Sequence, residues 1–293
     1  MTMTETAKKP LNFCGDSGKS LEEGSRGNAD LGTNRMMKKG TLLTLTCALV
    51  TLSFQAVSEA ALIGYYPFDV DASDASGNGN DGTPSGDAAL AGVAGFNGAG
   101  SAYQFSGAGH VVVPINSNPS VYPDMTVTMW VRPDSSIVGA PGLYKTFGHD
   151  DGGWDRTFGL DNRNGAYRYA AFTGGGITPA TATPVTGEWT FIAAVWNTDN
   201  PSAGSNTVTF YAGSESVTVP LTNTASVHTT SAIGNLRPDV FNEGWVGLID
   251  DVRIFDTALT PAEIADIMAI PEPSSGLLVG LGAVGLLLRR RRR

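Results

Sequence analysis

The chain has 293 residues, and 28 Asp and Glu against 19 Lys and Arg give it a net charge of −9. The imbalance concentrates in residues 61–270, where 21 acids face seven bases, a net −14; such a surface repels nucleic acid and anionic lipid and attracts divalent cations. That segment holds no cysteine, since Cys14 and Cys47 lie upstream, so a core or a bound ion rather than disulfides must stabilise it.

Residues 1–35 are polar and rich in Gly, Asn, Ser and charge, a composition that builds no core. They read as a disordered extension, or as sequence ahead of a true start at Met36 or Met37. Gly18-Lys19-Ser20 is no phosphate-binding loop, because the first glycine of that motif would fall at Phe13. Residues 36–60 have the three parts of an export signal: basic Met36-Met37-Lys38-Lys39, an apolar run from Leu42 to Val50, and a small-x-small end with Ser58 and Ala60. Cleavage is expected after Ala60. Cys47 follows Thr46, where a lipoprotein signal has a smaller residue.

From residue 61 onward, short β-rich runs are punctuated by Gly, Asn, Asp and Pro. The runs Leu62–Phe68, Ala102–Phe105, His110–Val113, Thr126–Arg132, Thr157–Leu160 and Tyr167–Ala171 read as strands. So do Trp189–Trp196, Thr207–Ala212, Ser216–Leu221, Ala232–Gly234 and Gly244–Phe255. Between 125 and 131 the odd positions should face a core, and the nearly all-apolar Trp189–Trp196 should be covered on both faces. Gly213-Ser214-Glu215 reads as a hairpin turn. Only Pro261–Met268 looks helical, with Thr260 as N-cap and Glu263 completing a capping box. The pattern predicts an all-β sandwich or jelly roll.

Particular blocks narrow this. Tyr65-Tyr66-Pro67-Phe68-Asp69 is followed by Asp74-Ala75-Ser76-Gly77-Asn78-Gly79-Asn80-Asp81-Gly82, then by Ala102–Gly107, Val127–Pro133 and Gly187-Glu188-Trp189. The series ends on Gly247-Leu248-Ile249-Asp250-Asp251-Val252-Arg253-Ile254-Phe255. In this order the blocks resemble a LamG-like domain of the concanavalin A-like superfamily. The resemblance implies an antiparallel jelly-roll β-sandwich over 61–270, with first and last strands adjacent.

The oxygen-rich turn from Asp69 to Gly82 is the first candidate site. Asp69, Asp74, Asn78 and Asn80 supply the hard oxygens calcium takes; the alternative is a turn satisfied by its own hydrogen bonds. Alternation places Asp250 on one face with Leu248, Val252 and Ile254, and Asp251 and Arg253 on the other. A carboxylate on an apolar face is costly unless paired or metal-bound. Related folds hold a structural calcium between the chain ends, and the resemblance implies Asp250 as one ligand. Without an ion, Asp250 should meet a donor such as a backbone N–H.

The second candidate is the loop His149–Arg156, with Asn162, Arg163 and Tyr167 following. Aromatic faces stack on sugar rings while Asp and Arg bond hydroxyls, so Asp151, Trp154, Asp155 and Arg156 are expected to contact a glycan. The alternative is a solvated loop with a packed Trp154 and an Asp155–Arg156 contact. His110, His149 and His228 fit no metal-ligand spacing. No catalytic residue is expected: a retaining glycosidase needs two carboxyls flanking one bond, and no Glu-x-Asp-x-Glu or Gly-x-Ser-x-Gly is present.

Residues 271–293 form a tag of three parts: Pro271-Glu272-Pro273, an apolar stretch from Gly276 to Leu288, and five arginines including Arg289 and Arg290. As a helix the stretch would reach about 20 Å, short for a bilayer that takes roughly 20 residues. The terminal arginines favour the cytoplasmic side. The arrangement resembles the PEP-CTERM sorting signal. That resemblance implies transient inner-membrane contact through a short C-terminal hydrophobic helix, and processing by an exosortase. It also implies export to the envelope, surface or matrix of a Gram-negative bacterium, where an extracellular polysaccharide is a natural partner.

Overall fold

The computed structural model describes residues 60–180, 182–200, 205–222, 225–240 and 242–269. The polar extension, all of the export signal but Ala60, and the tag with Pro271, Glu272, Pro273, Arg289 and Arg290 lie outside the described residues. Among the described residues no helix is long and apolar enough to cross a membrane.

Two antiparallel sheets face each other. The larger runs β13 (Glu215–Pro220), β12 (Ser205–Ala212), β11 (Thr190–Asn200), β6 (Met125–Pro133), β15 (Val246–Phe255), β4 (Tyr103–Ser106) and β3 (Ala89–Leu90), with β1 (Leu62–Tyr66) also paired to β15. The smaller runs β10 (Gly176–Pro179), β9 (Arg168–Thr173), β8 (Arg156–Asp161), β7 (Leu143–His149), β14 (Ser231–Ile233), β5 (His110–Val113) and β2 (Thr83–Ser85). This is the expected jelly-roll sandwich, and its first and last strands are adjacent, with Tyr66 opposite Val252.

The core follows from alternation. Met125, Val127, Met129 and Val131 of β6 are fully buried and meet Phe147, Phe158 and Tyr169 from the smaller sheet. β11 is covered on both faces, as its composition predicts: Ile192, Ala194 and Trp196 enter the main core. Phe191, Ala193 and Val195 point outward, where the single α-helix found among the described residues, α1 (Pro261–Met268), covers them with Ile264 beside Leu259. The β12–β13 hairpin closes over Gly213 and Ser214, with Ala212 opposite Glu215 and Gly213 in the left-handed region at φ 58°.

One expectation about faces fails. The register of β15 on β6 shifts between Asp250 and Arg253, and Asp251 takes φ 51°. This bulge reverses the alternation: Ile249 faces the core before it, Val252 and Ile254 after it. Leu248 and Asp250 therefore do not share a face with Val252 and Ile254. Four strands were not legible in the sequence, namely β2, β3, β7 and β10. Of these β7 matters most, because it carries Lys145 and His149.

Candidate functional site

The loop between β7 and β8 is held by its own carboxylates. Asp150 accepts from the Asp155 N–H at 3.0 Å, Asp155 from the Asp151 N–H at 3.0 Å, and Asp151 from the Val227 N–H at 2.8 Å. Gly175 N–H donates to Gly153 O at 2.9 Å and ties the loop to the β9–β10 turn. At its tip Trp154 adopts φ 61°, which directs the indole back over β9.

There Trp154 meets Phe172, ring centroids 5.1 Å apart. Tyr169 and Ala171 of β9 belong to the core and Phe172 does not, so Phe172 lies on the outer face of the smaller sheet. Arg163 sits over the indole, its guanidinium carbon 4.8 Å from the ring centroid, within cation–π reach. Asp161 orients Arg163 through a 2.9 Å bond to Nε, and Arg168 stands 3.5 Å from the same carboxylate. The Arg163 side chain stays 37% exposed, so it can donate to an incoming ligand beside the indole. Beneath, Lys145 Nζ lies 3.2 Å from the Phe172 centroid and 4.0 Å from Glu243 Oε2. Burial pushes the Lys145 amine down, against the pull of Glu243. Burial likewise pushes the Glu243 carboxyl up, against Lys145.

Of the four residues expected at this site, the structure leaves Asp151 exposed and Trp154 half-buried. Asp155 is buried, and Arg156 is fully buried. Arg156 donates to the carbonyls of Ser117, Tyr122 and Pro123 at 3.2, 2.7 and 2.7 Å, so its charge is spent inside the fold and not on a ligand at the surface. Lys145, Glu243 and Asp161 were not anticipated. One signal pointed to Lys145, the only lysine between residues 61 and 270.

The Asp69–Gly82 turn is largely self-satisfied. Asp74 accepts from the N–H groups of Tyr65, Ser76 and Asn80, each at 2.9 Å, and from the Ser76 hydroxyl at 2.8 Å. Burial works against its charge, yet these donors hold its carboxyl below the usual range. Asn78 Nδ2 donates to Leu62 O and Asn80 Nδ2 to Ile63 O, at 2.8 and 2.7 Å. These three residues brace β1.

Asp69 and Asp250 are placed differently, around the loop 95–101. Phe96 stacks on Trp130 of β6 at 4.5 Å and anchors that loop. Asp250 Oδ2 accepts from the Phe96 N–H and Oδ1 from the Asp251 N–H, both at 2.9 Å; these are the backbone donors expected in place of an ion. Burial raises its carboxyl to about 7 against those donors, and Asp251 and Asp69 add to the rise. A Cβ on Gly95 would overlap Asp250 Oδ2 and stand 2.8 Å from Ser101 O and 3.0 Å from Ala99 O. Ser101 N–H donates to Asp69 at 3.3 Å. Carboxylate and carbonyl oxygens thus converge on one glycine. Ala99 O accepts from the Gly95 N–H at 2.9 Å and both Asp250 oxygens are bonded to N–H groups, so these hydrogen bonds account for the close approach to Gly95. Among the described residues no three His, Cys, Asp or Glu side chains are grouped to hold a metal.

Two known families match the chain. The concanavalin A-like lectin/glucanases superfamily matches residues 105–265, 161 of the 293 residues, and the PEP-CTERM protein-sorting motif matches residues 269–293. No curated protein matches the sequence. Among solved structures, domain 4 of AbnA, a GH43 extracellular arabinanase from Geobacillus stearothermophilus seen with arabinotriose, superposes with a TM-score of 0.52 at 23% identity. That match covers 71% of this chain and 98% of the other. The receptor binding domain of botulinum neurotoxin mosaic serotype C/D gives 0.51 at 15% identity, over 71% of this chain and 50% of its own. The binding domain of Paraclostridial Mosquitocidal Protein 1 gives 0.51 at 15%, over 70% and 51%. The chain therefore spans about half the length of the two toxin domains, and likeness at these identities speaks for the fold alone.

Proposed function

Since the chain belongs to the concanavalin A-like lectin/glucanases superfamily and carries a PEP-CTERM protein-sorting motif, we propose that it is an exported, non-catalytic protein whose jelly-roll domain binds glycan at the Trp154 loop. The observation that carries this reading is the half-buried indole with Arg163 4.8 Å away, an apolar face beside oriented N–H donors. That pairing is how a sugar ring is held: its C–H face on an aromatic, its hydroxyls on fixed polar groups. The arabinotriose complex of AbnA domain 4 lends support at the level of ligand class. The sorting motif supports processing by an exosortase and delivery to the envelope or surface of a Gram-negative cell.

The non-catalytic part rests on the loop acids. Asp150, Asp151 and Asp155 each accept a backbone N–H of the loop or of its neighbour, which is scaffolding and not a pair flanking a bond. A glycan array on the purified protein tests the reading. Binding should appear for a subset of sugars and weaken about tenfold or more in Trp154→Ala, the scale of one lost aromatic contact. Equal binding by the variant, or turnover of a polysaccharide lost on substituting Asp150 or Asp155, sinks it.

A structural calcium is the second element of the proposal. What favours it is two carboxylates, Asp69 and Asp250, set against the same loop 95–101 and close enough for the Asp69 charge to act on Asp250. The cation would link the turn that follows β1 to β15. Asp74, Asn78 and Asn80 would then act from behind, as braces of β1.

A further inference from the structure

Lys145 is fully buried, and its Nζ has no hydrogen-bond partner among the described residues. Glu243 Oε2 stands 4.0 Å away, and it too is buried without a hydrogen bond. As an ion pair these are two desolvated charges 4.0 Å apart, the ammonium also facing the Phe172 ring at 3.2 Å and drawn by Asp150 and Asp161. Shifting one proton from ammonium to carboxylate removes both charges, and burial acts in that direction on each group, lowering the lysine and raising the glutamate. The neutral pair, an amine beside a carboxylic acid, is the form that burial favours.

The backbone holds the pair in place. Lys145 N–H donates to Glu243 O at 2.6 Å, and Lys145 forms a parallel bridge with Gly244. Phe172 closes the other side, its centroid 3.2 Å from Nζ. Asp150 is 2% exposed and acts electrostatically on both Lys145 and Glu243.

We propose that Lys145 and Glu243 join through a side-chain amide, an internal cross-link in a domain that has no disulfide. The Nζ lone pair attacks Cδ of the protonated Glu243 carboxyl, forming the Nζ–Cδ bond. One proton passes from Nζ to the departing hydroxyl; the Cδ–OH bond breaks and one water leaves. Nothing is oxidised or reduced, and no co-reactant is required. The Glu243 side chain is 29% exposed, which gives the water a way out, while the dry floor at Lys145 opposes hydrolysis.

Mass spectrometry of the purified full-length protein after trypsin digestion decides the matter. A branched peptide containing both residues, one water lighter than its two parts, with no cut after Lys145, is the expected result. Recovery of linear peptides ending at Lys145, with Glu243 in an unmodified peptide, overturns the proposal. Glu243→Ala removes the acceptor carbon and should restore the cut after Lys145; a cut still missing in that variant overturns the proposal. The wild-type measurement needs no variant to fold, and glycan binding does not enter it.

Discussion

Arg156 and His149 face each other across β7 and β8, and both are fully buried. His149 donates from Nε2 to His228 O at 3.1 Å, and its Nδ1 has no partner among the described residues. Burial lowers the imidazole to about 4; the His228 carbonyl opposes this, while the Arg156 and His228 charges add to it. Between about 4 and the unfolded value near 6.5 the unfolded chain binds more protons than the native one, so stability rises with pH. The His149 contribution is fully present above about 6.5 and is lost as pH falls toward 4. Denaturant titrations should show wild type losing up to about 1.4 kcal/mol per pH unit more than His149→Gln across that window. Parallel pH profiles for the two proteins would refute this. Arg156 also shows why its role was illegible: an arginine in an acidic loop reads as a surface residue. What decides otherwise is three carbonyls from 33 to 39 positions earlier in the chain, and no local pattern reports them.

Among the elements, those governed by local chemistry were the most legible. Thr260 accepts from the Glu263 N–H, and the Glu263 carboxylate accepts from the Thr260 N–H at 2.7 Å, as Thr-x-x-Glu before an apolar run predicts. α1 is only eight residues long, so it depends on this cap and on burial of Ile264 over β11. Thr260→Ala should cost about 1 kcal/mol in a chemical melt; an unchanged midpoint would show that packing alone holds the helix. Strands with clean alternation, such as β6, were equally plain. β7 was missed because its pairing with β8 shifts between Lys145 and Phe147, leaving Leu-Tyr-Lys-Thr-Phe-Gly-His without a period of two. The bulge at Asp250 and Asp251 broke the same rule in β15. Both irregular strands carry candidate site residues, where a side chain has been re-aimed at the expense of regular pairing.

For the whole molecule, the acid excess of residues 61–270 and their lack of cysteine raise the question of how the sandwich stays folded. Much of the answer is the core between the sheets, with Trp196, Trp245, Tyr66 and Phe147 fully buried. A cation between Asp69 and Asp250 would add to it by binding the native state alone. At a hundredfold excess of calcium over its dissociation constant, the gain is about 2.7 kcal/mol. Thermal melts should therefore move up with calcium and down with chelator, and Asp250→Asn should abolish the difference. A wild-type melt indifferent to both removes the metal. The jelly roll was readable as a class from strand density and from the order of its sequence blocks. The aromatic and charged cluster over the smaller sheet was not, since it gathers Lys145, Trp154, Arg163, Phe172 and Glu243 from five separate segments.

α1 lies on the outer face of the larger sheet and ends at Met268, and the sorting motif begins at residue 269. Two or three residues of fully extended chain reach no more than about 10 Å. Whatever grips Pro271 is thus on a very short leash to the sandwich. On the proposed function, a partner gripping the tag would work close to α1, on the outer face of the larger sheet. Trp154 and Phe172 lie on the outer face of the other sheet, so handling and ligand binding would not compete for one surface.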